Sequence, residues 1–229
     1  ESGIPINDFL GAALISMYDK CGDLDSAMTR FQELQEKGTS TWNAIIGAHA
    51  RHPTKTAHAL KLFDDMKASG IRPDAVTFSA ALSACCKGDE ALKRGKEIHA
   101  QIIKSRIPLD DFITSALITM YSQCDALDHA SATFSKYASA QKKKSGPPPG
   151  VSAWTAIIAA HAKEGKSKKA LSLFVIAAAR PTRVKERPLT QTGGWHNSLF
   201  QQFRKGTHLR SVRSHHFTTS TDDGKKNTR

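Results

Sequence analysis

The stretch DFLGAALISMYDKCGDLDSAMTRF at residues 8–31 returns at residues 111–134 as DFITSALITMYSQCDALDHASATF. Extended backwards, residues 1–31 lie over 104–134 at an offset of 103 without a gap, and 15 of the 31 positions are identical. The identities include Pro5/Pro108, Leu14/Leu117, Tyr18/Tyr121, Cys21/Cys124, Ala27/Ala130 and Phe31/Phe134. Matches concentrated at helical spacing indicate duplication, so the chain is read first as a repeat protein.

Each copy has the pattern of a helical hairpin. Leu10, Leu14, Met17, Tyr18 and Cys21 make one apolar helix face, and Leu24, Ala27, Met28, Phe31 and Leu34 make a second. Gly22 and Asp23 between them supply a turn and an N-cap. The same reading extends outward over the intervening chain. Segment 39–74 opens on the polar Thr39, Ser40 and Thr41, carries Trp42, Ile45, Ile46 and His49 on its first face, and Leu60, Phe63 and Met66 on its second. Gly70 and Pro73 close it. Segment 75–110 runs through Phe78, Ala81, Leu82 and Cys85, then Leu92, Gly95, Ile98, His99 and Ile102.

Segment 111–150 follows the first copy to Phe134 and then inserts KKKSGPPPG, a solvated loop because glycine and three prolines cannot continue a helix. In segment 151–179, Trp154, Ile157, Ile158 and His161 mirror Trp42, Ile45, Ile46 and His49, and Ala170, Leu171 and Phe174 mirror Ala59, Leu60 and Phe63. After Phe174 the pattern stops. Residues 1–7 read as the end of a preceding repeat, so the chain is expected to be a fragment. Residues 180–229 read as a basic tail of low order.

The net charge of +12 is uneven: residues 179–229 carry 11 Lys/Arg against three Asp/Glu, leaving only +4 for the first 178. A basic chain suits a polyanionic partner, but most of that signal lies in the tail. The lysines of the inserted loop are read as a solvated run. Four cysteines without a CxxC spacing suit a reducing compartment, and Cys21 and Cys124, at one repeat position, read as packing residues and not metal ligands. His49 and His161 are likewise read as packing residues. No apolar run approaches the ~18 residues of a membrane span.

The strings ALISMYDKCGDLDSA, TWNAIIGAHA…ALKLFDDMKASGIRPD and VTFSAALSACCKGDEALKRGKEIHAQIIKS resemble the pentatricopeptide repeats of plants, over about residues 1–176. They are similar to the PLS subclass, in which repeats of P, L and S type alternate in length. On that resemblance 1–7 ends an L repeat, 8–38 is S, 39–74 P, 75–110 L, 111–150 S with the inserted loop, and 151–179 an incomplete P. The implied fold is all-α, a right-handed α-solenoid of stacked antiparallel hairpins. The implied partner is single-stranded RNA, one nucleotide per repeat, with the base chosen by the fifth and last residues of each repeat.

Those positions are Ala12 with Gly38, Asn43 with Asp74, Ser79 with Asp110, Ser115 with Gly150, and Thr155 with no identified partner. Ala12, Gly38 and Gly150 carry no hydrogen-bonding side chain, which leaves two complete pairs. The second position, which packs beside the base in this family, is Phe9, Ser40, Val76, Phe112 and Ser152. By the family's pairing rule Asn43 with Asp74 favours uridine. As a structural alternative, Asn or Ser near a helix start is a cap.

The resemblance implies organellar RNA processing or C-to-U editing, in a mitochondrion or chloroplast, with this chain as the recognition part and an editing or processing factor supplied in trans. Relatives of the subclass often end in a zinc-dependent deaminase, whose chemistry needs HxE and PCxxC elements. None of the ten histidines precedes a Glu by two residues and no CxxC occurs, so no catalytic residue, metal or cofactor is expected, nor is a membrane partner. The chain is expected to be a monomer. The competing reading is a helical-repeat protein–protein adaptor; alternating repeat lengths and the Asn/Asp pair favour RNA.

Overall fold

The computed structural model describes residues 7–86, 88–143 and 148–179, so the expected tail, residues 1–6 and the centre of the inserted loop lie outside the described residues. Within the compact unit Glu1–Pro181 the described residues form ten α-helices and no strand. They are α1 (Asp8–Lys20), α2 (Leu24–Glu33), α3 (Thr39–Arg51), α4 (Thr56–Ala68), α5 (Ala75–Ala84), α6 (Asp89–Lys104), α7 (Asp111–Gln123), α8 (Leu127–Lys143), α9 (Val151–Lys163) and α10 (Ser167–Ala178). None is long and apolar enough to cross a membrane.

Local chemistry sets the hairpin turns. Gly22 holds φ at +78° between α1 and α2, and Asp125 takes the same left-handed role at +55° between α7 and α8. Asp tolerates that region because its short side chain bonds locally. Asp23 then caps α2, its carboxylate accepting the Ser26 amide at 2.9 Å.

Packing turns the hairpins into an α-solenoid. α1, α3, α5, α7 and α9 contact one another in sequence as one continuous layer. The second helices α2, α4, α6, α8 and α10 each pack on their own first helix, and α2, α4, α6 and α8 also on the next, but not on one another. A hairpin has two apolar faces and can cover only one of them internally, so the second needs a neighbour.

Aromatic pairs close three of the four junctions. Phe31 meets Trp42 edge-on at 4.8 Å, Phe63 meets Phe78 at 5.7 Å, and Phe134 meets Trp154 at 4.7 Å. In each, an aromatic of the second helix packs on the fourth residue of the next repeat. At the remaining junction that residue is Thr114, and a cavity of about 670 Å³ opens over it, lined by His99, Tyr121, His129 and Tyr137. The α4–α6 gap is instead spanned by Arg94, which donates to both carboxylate oxygens of Asp64 at 2.5 Å.

The ends of the stack depart from the sequence pattern. Leu10 and Met17 are largely exposed, and the buried residues of α1 are Gly11 and Ile15. Leu117, the repeat equivalent of Leu14, is fully buried while Leu14 is not. The cause is neighbour count: among the described residues α7 is flanked by two first helices, α5 and α9, and α1 by one, α3. Leu171 and Phe174 of α10 are exposed for the same reason. Cys21, read as a buried packing residue, is exposed; Cys124 is half-buried and its thiol donates to the Cys85 carbonyl at 3.5 Å. Burial pushes the Cys85 thiol up to about 12, which keeps it a neutral, unreactive packing group.

His49 is a packing residue in the structure: it is buried on α3, donates from Nδ1 to the Ile45 carbonyl at 2.9 Å and meets His58 edge-on. Burial, reinforced by the nearby His58, Lys55 and His52, pushes its pKa below the usual 6.5 despite the Ile45 bond. Burial moves His99 and His161 the same way.

Two predictions follow from burial. Phe63 is fully buried and Phe174, at the same repeat position, is 57% exposed; Phe63→Ala is expected to cost about 3–5 kcal/mol and Phe174→Ala about 0.5 kcal/mol or less in urea unfolding. Below pH 6.5 the unfolded chain protonates histidines that the fold keeps neutral, so stability present above that pH is lost as pH falls through their lowered folded values. Thermal melts at pH 7.5 and 5.5 are expected to show the drop, and His49→Gln to make it shallower.

Candidate nucleic-acid interface

The first helices run parallel, with their N-termini together, because the side chains at those ends bond across repeats. Asp8 at the start of α1 reaches the start of α3, Asp74 before α5 is bonded to Asn43 near the start of α3, and Asp111 at the start of α7 reaches the start of α9. The fifth residue of every repeat therefore lies one helical turn inside a common rim.

Asn43 and Asp74 are held as a unit. The Asn43 amide nitrogen donates to both Asp74 carboxylate oxygens at 3.1 and 3.2 Å. Its carbonyl oxygen accepts from the Thr77 hydroxyl at 2.5 Å. Asp74 is the N-cap of α5 in a capping box: its Oδ1 accepts the Thr77 amide at 2.8 Å, while Thr77 Oγ1 accepts the Asp74 amide at 3.0 Å. Thr77 is fully buried, Asn43 half-buried and Asp74 exposed. A rigid buried hydroxyl thus fixes which end of the amide faces which way. The two carboxylate oxygens lie too close in direction for separate amide hydrogens and share one, so one amide hydrogen and one carbonyl lone pair remain for a ligand.

Ser79 and Asp110 are not bonded to each other. Asp110 caps α7 by accepting the Ile113 amide at 2.9 Å. Ser79 lines a depression of about 170 Å³ together with Phe112 and Ser115 of the following repeat, and with Ser83, Thr119 and Gln123. The Ser115 hydroxyl donates to the Phe112 carbonyl at 2.8 Å, so it turns a lone pair outward. Thr155 is exposed on α9.

The second-position residues are exposed despite their apolar character: Phe9 by 77%, Val76 by 51% and Phe112 by 48%. Exposed apolar groups repeated on one face, interleaved with amide, hydroxyl and carboxylate groups, form a surface on which flat bases can stack and be read at their edges. Ser40 and Ser152 break the apolar series, and both use their backbone amides to bond an aspartate of the preceding repeat.

Those aspartates, Asp8 and Asp111, were not singled out by sequence. The signal was present: each aspartate opens a repeat that ends in glycine, Gly38 or Gly150. It needed the distance between first and last residues of a repeat to become visible. Burial pushes the Asp8 carboxyl up, but hydrogen bonds from Thr41 and Ser40 outweigh it and hold it below the usual range, so it is ionised at neutral pH.

Residues 37–87 match the PPR repeat family and residues 152–175 match the PPR repeat. A mitochondrial pentatricopeptide repeat-containing protein of Arabidopsis thaliana is 32% identical over 172 residues, 75% of this chain and 16% of that protein. A second from the same plant is 30% identical over 216 residues, 93% of this chain and 30% of that protein. A chloroplastic one is 31% identical over 76% of this chain and 26% of its own length. The chain thus spans less than a third of each of these relatives. Among solved structures, the maize pentatricopeptide repeat protein PPR10 superposes with a TM-score of 0.59 at 19% identity, over 76% of this chain and 24% of that one. PPR10 in complex with an 18-nt psaJ RNA element aligns equally well, over 75% of this chain and 25% of that one. Matched segments, relatives and fold agree, and the helices within residues 37–87 and 152–175 belong to pentatricopeptide repeats.

Proposed function

We propose that this chain binds single-stranded RNA along the rim of its first helices, one nucleotide per repeat, as the recognition part of an organellar RNA-processing or editing activity. The observation that carries the reading is the Asn43–Asp74–Thr77 unit, a polar group pre-oriented at an exposed edge. A helix cap alone needs only Asp74 and Thr77. Spending an amide on that cap, with one hydrogen and one lone pair left outward, suits a base edge. Uracil offers an acceptor beside a donor, which matches what Asn43 leaves free.

Ser79 with Asp110, Ser115 and Thr155 are the polar readers of the other repeats in this scheme, and Phe9, Val76 and Phe112 the surfaces against which bases pack. The repeats alternate as S, P, L, S and P over 8–38, 39–74, 75–110, 111–150 and 151–179. Relatives named mitochondrial or chloroplastic support an organellar site of action. The chemistry on the RNA comes from a factor in trans.

The test uses the full chain and short single-stranded RNAs in which each position is varied through four bases. One nucleotide is expected to prefer uridine by about 1–3 kcal/mol, the value of a well-formed base contact. Asn43→Ser with Asp74 kept is expected to move that preference towards guanosine and leave the neighbouring nucleotides unchanged, measured by fluorescence anisotropy. Equal binding of all four bases there by both proteins would reduce Asn43 to a helix cap.

A further inference from the structure

The third amide of each inner first helix, α3, α5, α7 and α9, is bonded to a carboxylate, but the carboxylate comes from two different places. In repeats 39–74 and 75–110 it belongs to the last residue: Asp74 accepts the Thr77 amide at 2.8 Å and Asp110 the Ile113 amide at 2.9 Å. Repeats 8–38 and 111–150 end in glycine and cannot do this. Their first residue does it instead. Asp8 Oδ1 accepts the Thr41 amide at 2.9 Å and Oδ2 the Ser40 amide at 3.1 Å. Asp111 accepts the Ala153 and Ser152 amides, each at 3.2 Å.

The glycines make room for this exchange. A Cβ on Gly38 would lie 2.5–2.7 Å from the Asp8 carboxylate, and one on Gly150 would lie 2.5–2.9 Å from that of Asp111. No side chain can stand at the last position while the first-position carboxylate occupies that space. The arrangement occurs twice with the same partners. Gly38 and Gly150 therefore mark where a carboxylate has been relocated, not where one is missing.

We propose that Asp8 and Asp111 are the base-contacting carboxylates of the two glycine-ended repeats and select guanosine there, an inference that rests on the RNA-binding reading above. Each carboxylate lies one helical turn before the fifth residue, and both aspartates are half-buried. An ionised carboxylate only accepts, so the group presents two parallel acceptor oxygens. The fifth residue adds no donor, since Ala12 is apolar and the Ser115 hydroxyl hydrogen is taken by the Phe112 carbonyl, although at Asp8 the Ser40 and Thr41 hydroxyls bond the carboxylate as well. An acceptor-only site suits guanine, whose N1–H and N2–H₂ are adjacent donors. Uracil sets its single donor between two carbonyls, and cytosine and adenine set a ring acceptor beside their amino group. All three meet the carboxylate with repulsion.

The test compares the full chain with Asp8→Asn, Asp111→Asn and the double variant Asp8→Ala/Gly38→Asp, on the same set of base-substituted RNAs. Asp8→Asn keeps one acceptor oxygen for the helix and is expected to lower the guanosine preference at one nucleotide about tenfold. Asp111→Asn is expected to do the same three nucleotides away. The double variant returns the carboxylate to the last position, as in Asp74, and is expected to recover the preference. A purely structural role would lower the melting temperature and leave the base ranking untouched. The nucleotide read by Asn43 is the internal control. If it keeps its uridine preference while all four proteins rank bases alike at the Asp8 and Asp111 nucleotides, the proposal is overturned and the RNA reading stands. If no nucleotide shows a preference in any protein, both fall.

Discussion

Everything in this structure depends on the direct contact between successive first helices. α1, α3, α5, α7 and α9 touch in a row, whereas the second helices stand farther apart, α4 and α6 meeting through long side chains alone. Two layers of unequal closeness must curve, with the tighter layer inside. That geometry brings the N-termini of the first helices to one rim and spaces the fifth residues regularly along it. It also leaves gaps between second helices that must be filled separately. Aromatics fill three junctions, and the Arg94–Asp64 pair spans the outer gap between α4 and α6.

Much of this was legible in the sequence because packing obeys local period. The first helices begin at Asp8, Thr39, Ala75, Asp111 and Val151, where the repeat boundaries were drawn from the pattern. Gly22 and Asp23 marked a turn and a cap that the structure shows in those roles. What periodicity could not carry was neighbour count. Leu14 and Leu117 are the same residue in the same context, yet only Leu117 is fully buried, because burial in a stack is a property of the adjacent repeat. Phe63 and Phe174 differ for the same reason.

The candidate site shows the limit from the other side. Asn43 and Asp74 stand 31 residues apart in sequence and are joined by two hydrogen bonds, a pairing that a family resemblance suggests and that period alone does not. Asp8 is likewise joined by two hydrogen bonds to Ser40 and Thr41, 32 and 33 residues away, but no resemblance pointed to it. The difference is what each leaves behind in the sequence. Asp74 occupies a position already assigned a role, whereas the relocated carboxylate leaves only a glycine, which reads as an absence until the space beside it is seen to be full.

On the proposed reading the caps and the base-facing groups are one set of atoms with two demands on them. A carboxylate at the start of a first helix satisfies an otherwise orphaned amide and offsets the positive end of the helix dipole, a contribution of about 1 kcal/mol. On the proposed reading the same carboxylate is also an acceptor for a base. Sharing the group ties specificity to stability: a substitution that alters the base preference also loosens the start of a helix, unless the new residue caps as well. Thr77 lessens that tension in repeat 39–74. Its hydroxyl accepts the Asp74 amide for the cap and donates to Asn43 for orientation, from a fully buried position. In the glycine-ended repeats the carboxylate of Asp8 or Asp111 is held by two helix amides instead of one, and nothing ties it to the fifth residue. The identity of that carboxylate is constrained more tightly there than at Asp74, and on the proposed reading the freedom to vary base preference in those repeats lies with the fifth residue.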